Sequence, residues 1–119
     1  MRKIEFRVLD GFGNWRFSDD IGLDTLFSRL EFEYREETLG QFTGIKDKKG
    51  KRIWEGDIIK ATLETKGDEC RVKGVVEYSD NHACWVLVIK KNVEFVPLHQ
   101  LFDLEKIGNI HENPKLALA

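Results

Sequence analysis

The sequence predicts a mainly β domain, a sandwich or small barrel, and three observations point that way. Eight or so short runs alternate apolar and polar residues, Gly, Asp and Asn corners separate them at close spacing, and only about one stretch reads as helical. The central stretch Gln41 to Leu63, QFTGIKDKKGKRIWEGDIIKATL, shows the pattern best. A run ends at Ile45, a second holds Ile53 and Trp54, and a third leaves through Ile58, Ile59, Ala61 and Leu63. Three short strands joined by two glycine corners are how a small barrel begins.

The turns of that stretch have a physical basis. Asp47 can accept hydrogen bonds from backbone N–H groups two or three residues on, and Gly50 tolerates positive φ, so Asp47 to Gly50 suits a type I turn followed by a glycine bulge. Gln41–Ile45 then folds against Lys51–Trp54. Gly56 supplies a second permissive corner between Trp54 and Asp57. Trp54, just before it, is expected in the core, where burial of an aromatic ring is worth roughly 2–3 kcal/mol.

Along the chain, Arg2 to Leu9 alternates, with Ile4, Phe6 and Val8 on one face and Lys3, Glu5 and Arg7 on the other, the pattern of a half-buried strand. Asp10 to Asn14 is a turn, and Trp15-Arg16-Phe17 returns as a second strand, giving an N-terminal hairpin. Residues 22–38 carry two patterns. Asp24 is placed to cap a helical turn through Leu26, Phe27 and Leu30, whereas Phe32 and Tyr34 alternate as in a strand. The acidic cluster Glu31, Glu33, Glu36 and Glu37 reads as a solvated face.

Glu69 to Tyr78 is a strand through Val72, Val75 and Val76, and Ala83 to Lys91 is the most apolar one. Trp85, Leu87 and Ile89 share one face of it and Cys84, Val86 and Val88 the other, the mark of a strand covered on both sides or facing a partner. A short run at Val93–Val96 follows. Pro97 to Leu101 reads as one helical turn with proline at its first position. Leu104 to Ile110 is a last strand, and Asn113 caps a short terminal helix, Lys115 to Leu118.

At 119 residues the chain is read as one domain, 1–119, with a hairpin region over 1–40, a barrel core over 41–112 and the terminal helix over 113–118. Its charged fraction of 34% and its eight Phe, three Trp and two Tyr describe a globular domain with its own core. A net charge of −2 argues against a broadly basic nucleic-acid binder. No apolar run is long enough to span a bilayer and charges interrupt the N-terminus, so a cytoplasmic location is expected. Cys70 and Cys84 lack CxxC spacing and are expected as reduced thiols packed like small apolar residues, with Cys84 opposite about Tyr78.

Several residue groups are candidates for chemistry, each with a plainer structural role. Glu55 and Asp57 flank Gly56 and could act as a carboxylate pair for a metal or in hydrolysis; at a tight corner such carboxylates more often hold backbone N–H groups. His82, His99 and His111 with Cys70 and Cys84 are the soft ligands, but none falls at zinc spacing, and Cys84 with His82 lacks a third orienting group, so no metal or cofactor is expected. Lys46, Lys48, Lys49, Lys51 and Arg52 gather at the central hairpin tip with Lys90 and Lys91 as possible neighbours. They suit either a solvated turn or a contact with phosphate or an acidic partner. Trp15 and Phe17 are either core residues or a stacking platform.

Three blocks, MRKIEFRVLD at the start, QFTGIKDKKGKRIWEGDII in the middle and IGNIHENPKL at the end, resemble the YopX family, small proteins of phages and prophages of Gram-positive bacteria. The middle block is the specific one: a Gln-aromatic-Thr-Gly strand, a Lys-Asp turn and an aromatic-Glu-Gly-Asp corner. Trp54 and His111 stand where the family more often has tyrosine. The resemblance implies a mainly β domain of SH3-like barrel type, to which the residue patterns add an N-terminal hairpin extension and one or two short helices, and it implies no reaction. The expected role is therefore a non-enzymatic phage or prophage binding or adaptor protein, with a protein partner and possible self-association. The alternatives are a nucleic-acid-binding regulator using the Lys46–Arg52 hairpin and a hydrolase using Glu55 and Asp57.

Overall fold

The computed structural model describes residues 4–90 and 94–117. Arg2, Lys3, Lys91, Val93 and Leu118, which figure in the sequence reading, lie outside them. Among the described residues nine strands form two antiparallel sheets. The first, in the order β2-β1-β3-β4, contains β1 (Phe6–Asp10), β2 (Trp15–Phe17), β3 (Tyr34–Lys46) and β4 (Arg52–Trp54). The second, in the order β8-β7-β6-β5-β9, contains β5 (Asp57–Thr65), β6 (Asp68–Ser79), β7 (Cys84–Lys90), β8 (Glu94–Pro97) and β9 (Leu101–Asn109), and the sheet curls into a half-barrel. Two short helices, α1 (Ser18–Ile21) and α2 (Leu23–Arg29), follow β2.

The β1–β2 turn is fixed by a carboxylate. Asp10 Oδ1 accepts from the Phe12 and Asn14 amides, while its Oδ2 accepts from Arg16 Nε at 3.1 Å. The 22–38 stretch resolves by position: helix to Arg29, strand from Tyr34, with Phe32 left exposed between them. Gly22 precedes the helix and Asp24 lies in its first turn, so Asp24 does not cap it. Leu26 is fully buried, and the Phe27 ring meets Phe6 edge-on at 5.4 Å, which seats α2 against β1.

The face assignment for β1 needs correction. Ile4 is 57% exposed, whereas Glu5, Arg7 and Asp10 are buried along with Val8 and Leu9. Alternation correctly separates the two faces; it cannot tell that the polar one is covered as well, by β2 and the Trp54–Asp57 corner. β3 then carries a bulge. Arg7 lies opposite Gly40 and Leu9 opposite Arg35, so two residue steps on β1 match five on β3. Buried Thr38 pins this bulge, its hydroxyl accepting from the Leu9 amide and donating to the Arg35 carbonyl.

The central hairpin forms as its turn chemistry predicts. Phe42 pairs with Trp54 and Lys46 with Arg52, Gly50 has φ +82°, and Asp47 Oδ1 accepts from the Lys49 and Lys51 amides. Asp47 Oδ2 also reaches across to the Lys106 amide of β9, and the Lys48 amide donates to the Leu104 carbonyl at 2.8 Å. The hairpin tip thus closes on β9. Between the sheets lies the core of Ile53, Ile59, Ala61, Val76, Leu87, Leu98 and Leu101. Each of the Val, Leu and Ile side chains among them contributes about 1.5–3 kcal/mol by burial.

In β7 the two-faced apolar pattern is real: Val86 and Leu87 are both buried. Cys84 pairs with Ser79, one residue from the expected partner. Cys70 is exposed, against expectation, because it lies near the open β5–β6 turn, and both cysteines are free. Pro97 precedes the 3₁₀ turn Leu98–Gln100 rather than opening it, and a second 3₁₀ turn covers Pro114–Ala117.

Burial alone would raise the Asp47 pKa, but hydrogen bonds from the Lys106, Lys51 and Lys49 amides outweigh it and hold the carboxyl below its ordinary value. A depressed carboxylate stabilises the fold above its unfolded pKa of about 3.9, and that stability is lost as pH falls through the folded value. Asp47→Ala is therefore expected to lower unfolding free energy by about 2–4 kcal/mol at pH 7, since it strands several backbone donors. Urea melts at pH 7 and pH 3 check this: the gap between variant and parent should be smaller at pH 3 than at pH 7.

Candidate functional site

The Trp54–Asp57 corner is where the two sheets are locked. Asp57 is fully buried, accepting from Arg7 Nη2 at 2.7 Å through Oδ1 and from the Trp54 amide at 2.7 Å through Oδ2, with Lys106 Nζ 3.3 Å from Oδ2. Its partners come from β1, β4 and β9: Trp54 is three residues away, whereas Arg7 and Lys106 are remote in sequence. The Arg7 guanidinium also stacks 4.1 Å over the Trp15 ring and 5.5 Å from that of Trp54, geometry in which cation–π attraction is worth up to about 2 kcal/mol. Desolvation lowers the Arg7 pKa and Asp57 pulls it back up; an arginine stays charged throughout. Arg7 Nε has no hydrogen-bond partner among the described residues.

This arrangement places several of the candidate residues. Trp15 is held on three sides, by Arg7, by an edge contact with His111 at 6.3 Å and by a 2.8 Å hydrogen bond from its Nε1 to Glu112. Phe17 and Phe42 pack on Trp54 at 5.5 and 5.4 Å, and Arg52 lies over all three rings while pairing with Glu5 and Asp19. Lys48 faces Asp103 and Glu105, and Lys49 faces Glu105, all on β9. Of the hairpin cations, Lys46 and Lys51 have no ion pair among the described residues.

The remaining soft ligands are scattered. His82 exchanges a hydrogen bond with Ser79 and packs on Phe95, His99 and Cys84 line a separate hollow, and no three His, Cys, Asp or Glu side chains among the described residues converge to hold a metal ion.

Beside the corner the sheets leave a cleft of 430 Å³, within the range of small-ligand and peptide-anchor sites. Val75, Val76, Val88 and Ile89 of β6 and β7 line its floor, with the side chains of Val75 and Val88 on the cleft side of the sheet and those of Val76 and Ile89 on the core side. Leu39 and Glu37 of the β3 bulge form one wall, and Glu55, Gly56, Ile110 and His111 form the other, with Glu77 at the rim. Gly56 takes φ +90°, and its amide donates to the Val76 carbonyl at 2.9 Å while its carbonyl accepts from the Ile110 amide at 2.8 Å. A Cβ on Gly40 would sit 2.8 Å from the Glu55 carbonyl oxygen, so that glycine lets β3 approach the corner. Sequence reading identified Glu55 and Gly56 but not the cleft, whose parts come from five separate segments.

His111 is pushed below its ordinary pKa, first by desolvation and then by the Arg7 and Arg35 charges, against the pull of Glu37 and Asp57. Glu112, which accepts from Asn109 Nδ2 and from Trp15, is held below its ordinary value by those bonds. The cleft is thus an apolar trough with carboxylates on its rim and an imidazole biased toward its neutral form.

A mainly β domain with an ionically locked seam and one open trough beside it is the class that these features define. The family model described as YopX protein matches residues 6–117, nearly the whole chain, and the protein belongs to the YopX family. No curated protein matches it.

Replacing Asp57 with Ala leaves Arg7 buried without its counter-charge and is expected to cost about 3–5 kcal/mol, read as a shift in the denaturant midpoint; adding Arg7→Met should recover part of the loss. A histidine whose folded pKa is depressed makes the fold less stable as pH drops below the unfolded value of about 6.5, because the unfolded chain takes up the proton first. Stability should therefore begin to fall below about pH 6.5, ahead of the carboxylate-driven loss near pH 4. His111→Gln should flatten the first phase in melts from pH 8 to 5.

Proposed function

We propose that the protein is a non-enzymatic binding or adaptor module, phage- or prophage-encoded and acting in the cytoplasm of a bacterial host, which engages another protein through the cleft beside the Gly56 corner. The observation that carries this reading is the trough itself: two half-buried valines, Val75 and Val88, lie open in a floor that the surrounding elements do not cover. Half-covered apolar floors with a polar rim fit the anchor residues of a protein partner.

The two rival readings have less to rest on. In a hydrolase, Glu55 and Asp57 would both need access to substrate; Asp57 is sealed, its oxygens occupied by Arg7, Trp54 and Lys106, and only Glu55 lines the cleft. In a nucleic-acid regulator the hairpin cations would need to meet phosphates. Lys48, Lys49 and Arg52 already face carboxylates of β9, Glu5 and Asp19, which lowers the charge available for counterion release. No helix among the described residues is long and apolar enough to cross a membrane.

A photo-crosslinking amino acid placed at Val88 and, separately, at Lys51 in protein expressed in a bacterial host tests the reading. A discrete protein adduct from position 88 that is lost on adding Glu77→Arg is the expected result. Adducts only from position 51, sensitive to nuclease, would instead support nucleic-acid binding through the hairpin.

A further inference from the structure

The cleft's chemistry points to the kind of partner it takes. Strand pairing sets Ile58 opposite Val75, Val75 opposite Val88, and Val88 opposite Phe95, so these four side chains form one row across the same face of the sheet. The row is graded: Ile58 is fully buried, Val75 and Val88 are half-buried, and Phe95 is 45% exposed. An apolar track therefore leads from the cleft outward to the β8 edge.

The charge at the inner end of the track is one-sided. The hydrogen bond from the Gly56 amide to the Val76 carbonyl brings Glu55 and Glu77, the residues next to each of those groups, to either side of a single contact. Glu77 lies two residues beyond Val75, hence on the same face, and has no hydrogen bond or ion pair among the described residues. Glu55 spends one oxygen on the Gln41 amide at 3.3 Å. Glu37, on the opposite wall, is paired with Arg35 at 3.1 Å. Of the other cations on this face, Lys90 is set opposite Glu94, and Lys73 lies outside the cleft opposite Lys60. Three carboxylates against one arginine leave an excess of negative charge beside an uncovered apolar floor.

We infer that the cleft binds an extended segment of a partner protein through a lysine or arginine flanked by an aliphatic or aromatic residue, the cation set between Glu55 and Glu77 and the apolar neighbour laid on Val75 and Val88. A long basic side chain suits both parts of the site, since its methylene stem covers apolar surface while its head reaches the rim. Arginine can bridge two carboxylates through its fork of donors. The same rim repels phosphate, so a nucleic acid is a poor occupant. The inference rests on the binding-module reading above and adds the partner's chemistry to it.

Panning a displayed heptapeptide library against the full chain tests it, followed by fluorescence polarisation with the synthetic peptides that are enriched. The expected peptides carry Lys or Arg beside an apolar residue. Their affinity should fall about tenfold in the isosteric variant E55Q/E77Q, fall further in E77R, and weaken with added salt. Peptides that E77R or Val88→Lys displaces but that show no preference for basic residues would overturn the inference and leave the binding-module reading in place. The same holds if basic peptides bind equally well to E55Q/E77Q. Failure to enrich any peptide, together with no adduct from position 88 in cells, would overturn both. Displacement of the peptides by single-stranded DNA or RNA at low salt, unaffected by E55Q/E77Q, would assign the surface to nucleic acid and also overturn the inference.

Discussion

The buried Arg7–Asp57 pair is the constraint that the rest of the molecule depends on. The two residues are fifty positions apart, their side chains are almost wholly removed from solvent, and each belongs to a different sheet. Such a pair adds little net stability over an apolar substitute, because desolvation offsets much of the Coulomb attraction. What it does is exclude other arrangements. Shifting β1 against the corner by one residue would bury an unpaired guanidinium, so the ion pair fixes register where hydrophobic burial alone would tolerate slippage. Trp15, Trp54 and Lys106 complete its surroundings, and the cleft lies next to it because Gly56, beside Asp57, forms part of its wall.

A second, weaker closure runs along the other side of the barrel-like half. The central hairpin tip meets β9 through two hydrogen bonds to the β9 backbone, the Lys106 amide donating to the Asp47 carboxylate and the Lys48 amide to the Leu104 carbonyl, and through the ion pairs of Lys48 and Lys49. These lysines are largely exposed, so each pair contributes only about 0–1 kcal/mol and the backbone contacts dominate. The density of lysine at this tip is thereby accounted for locally: β9 offers Asp103 and Glu105 as counter-charges. Lys46 and Lys51 remain as the solvated part of the cluster.

Much of the architecture was legible in the sequence because it is local. Asp47 and Gly50 define a turn within five residues, Trp54 announces a core position by its size, and the β7 pattern of Trp85 to Ile89 with Cys84 to Val88 shows apolar residues on two faces. What could not be read is non-local. Arg7 looks like an ordinary outward charge in an alternating strand; only the arrival of Asp57 and Trp15 makes it a buried one. The bulge at Glu36 to Leu39 leaves little mark, since Thr38 fixes it through a partner on β1. The cleft is the extreme case, assembled from β3, the Gly56 corner, β6, β7 and the turn at Ile110. Glu55 was visible as a carboxylate at a corner, but its neighbour across the trough, Glu77, has no sequence signal that sets it apart from any other strand glutamate.

The spacing of the seam's three charges along the chain also bears on how the molecule is made. Arg7 is synthesised before Asp57, and Asp57 before Lys106. A nascent chain leaving the ribosome therefore holds an arginine that must stay hydrated until its counter-charge emerges, and the first sheet cannot commit its polar face to the interior before then. The seam's charge pairing is complete only once β9 has been made, and pairing over such sequence distances slows folding relative to local contacts.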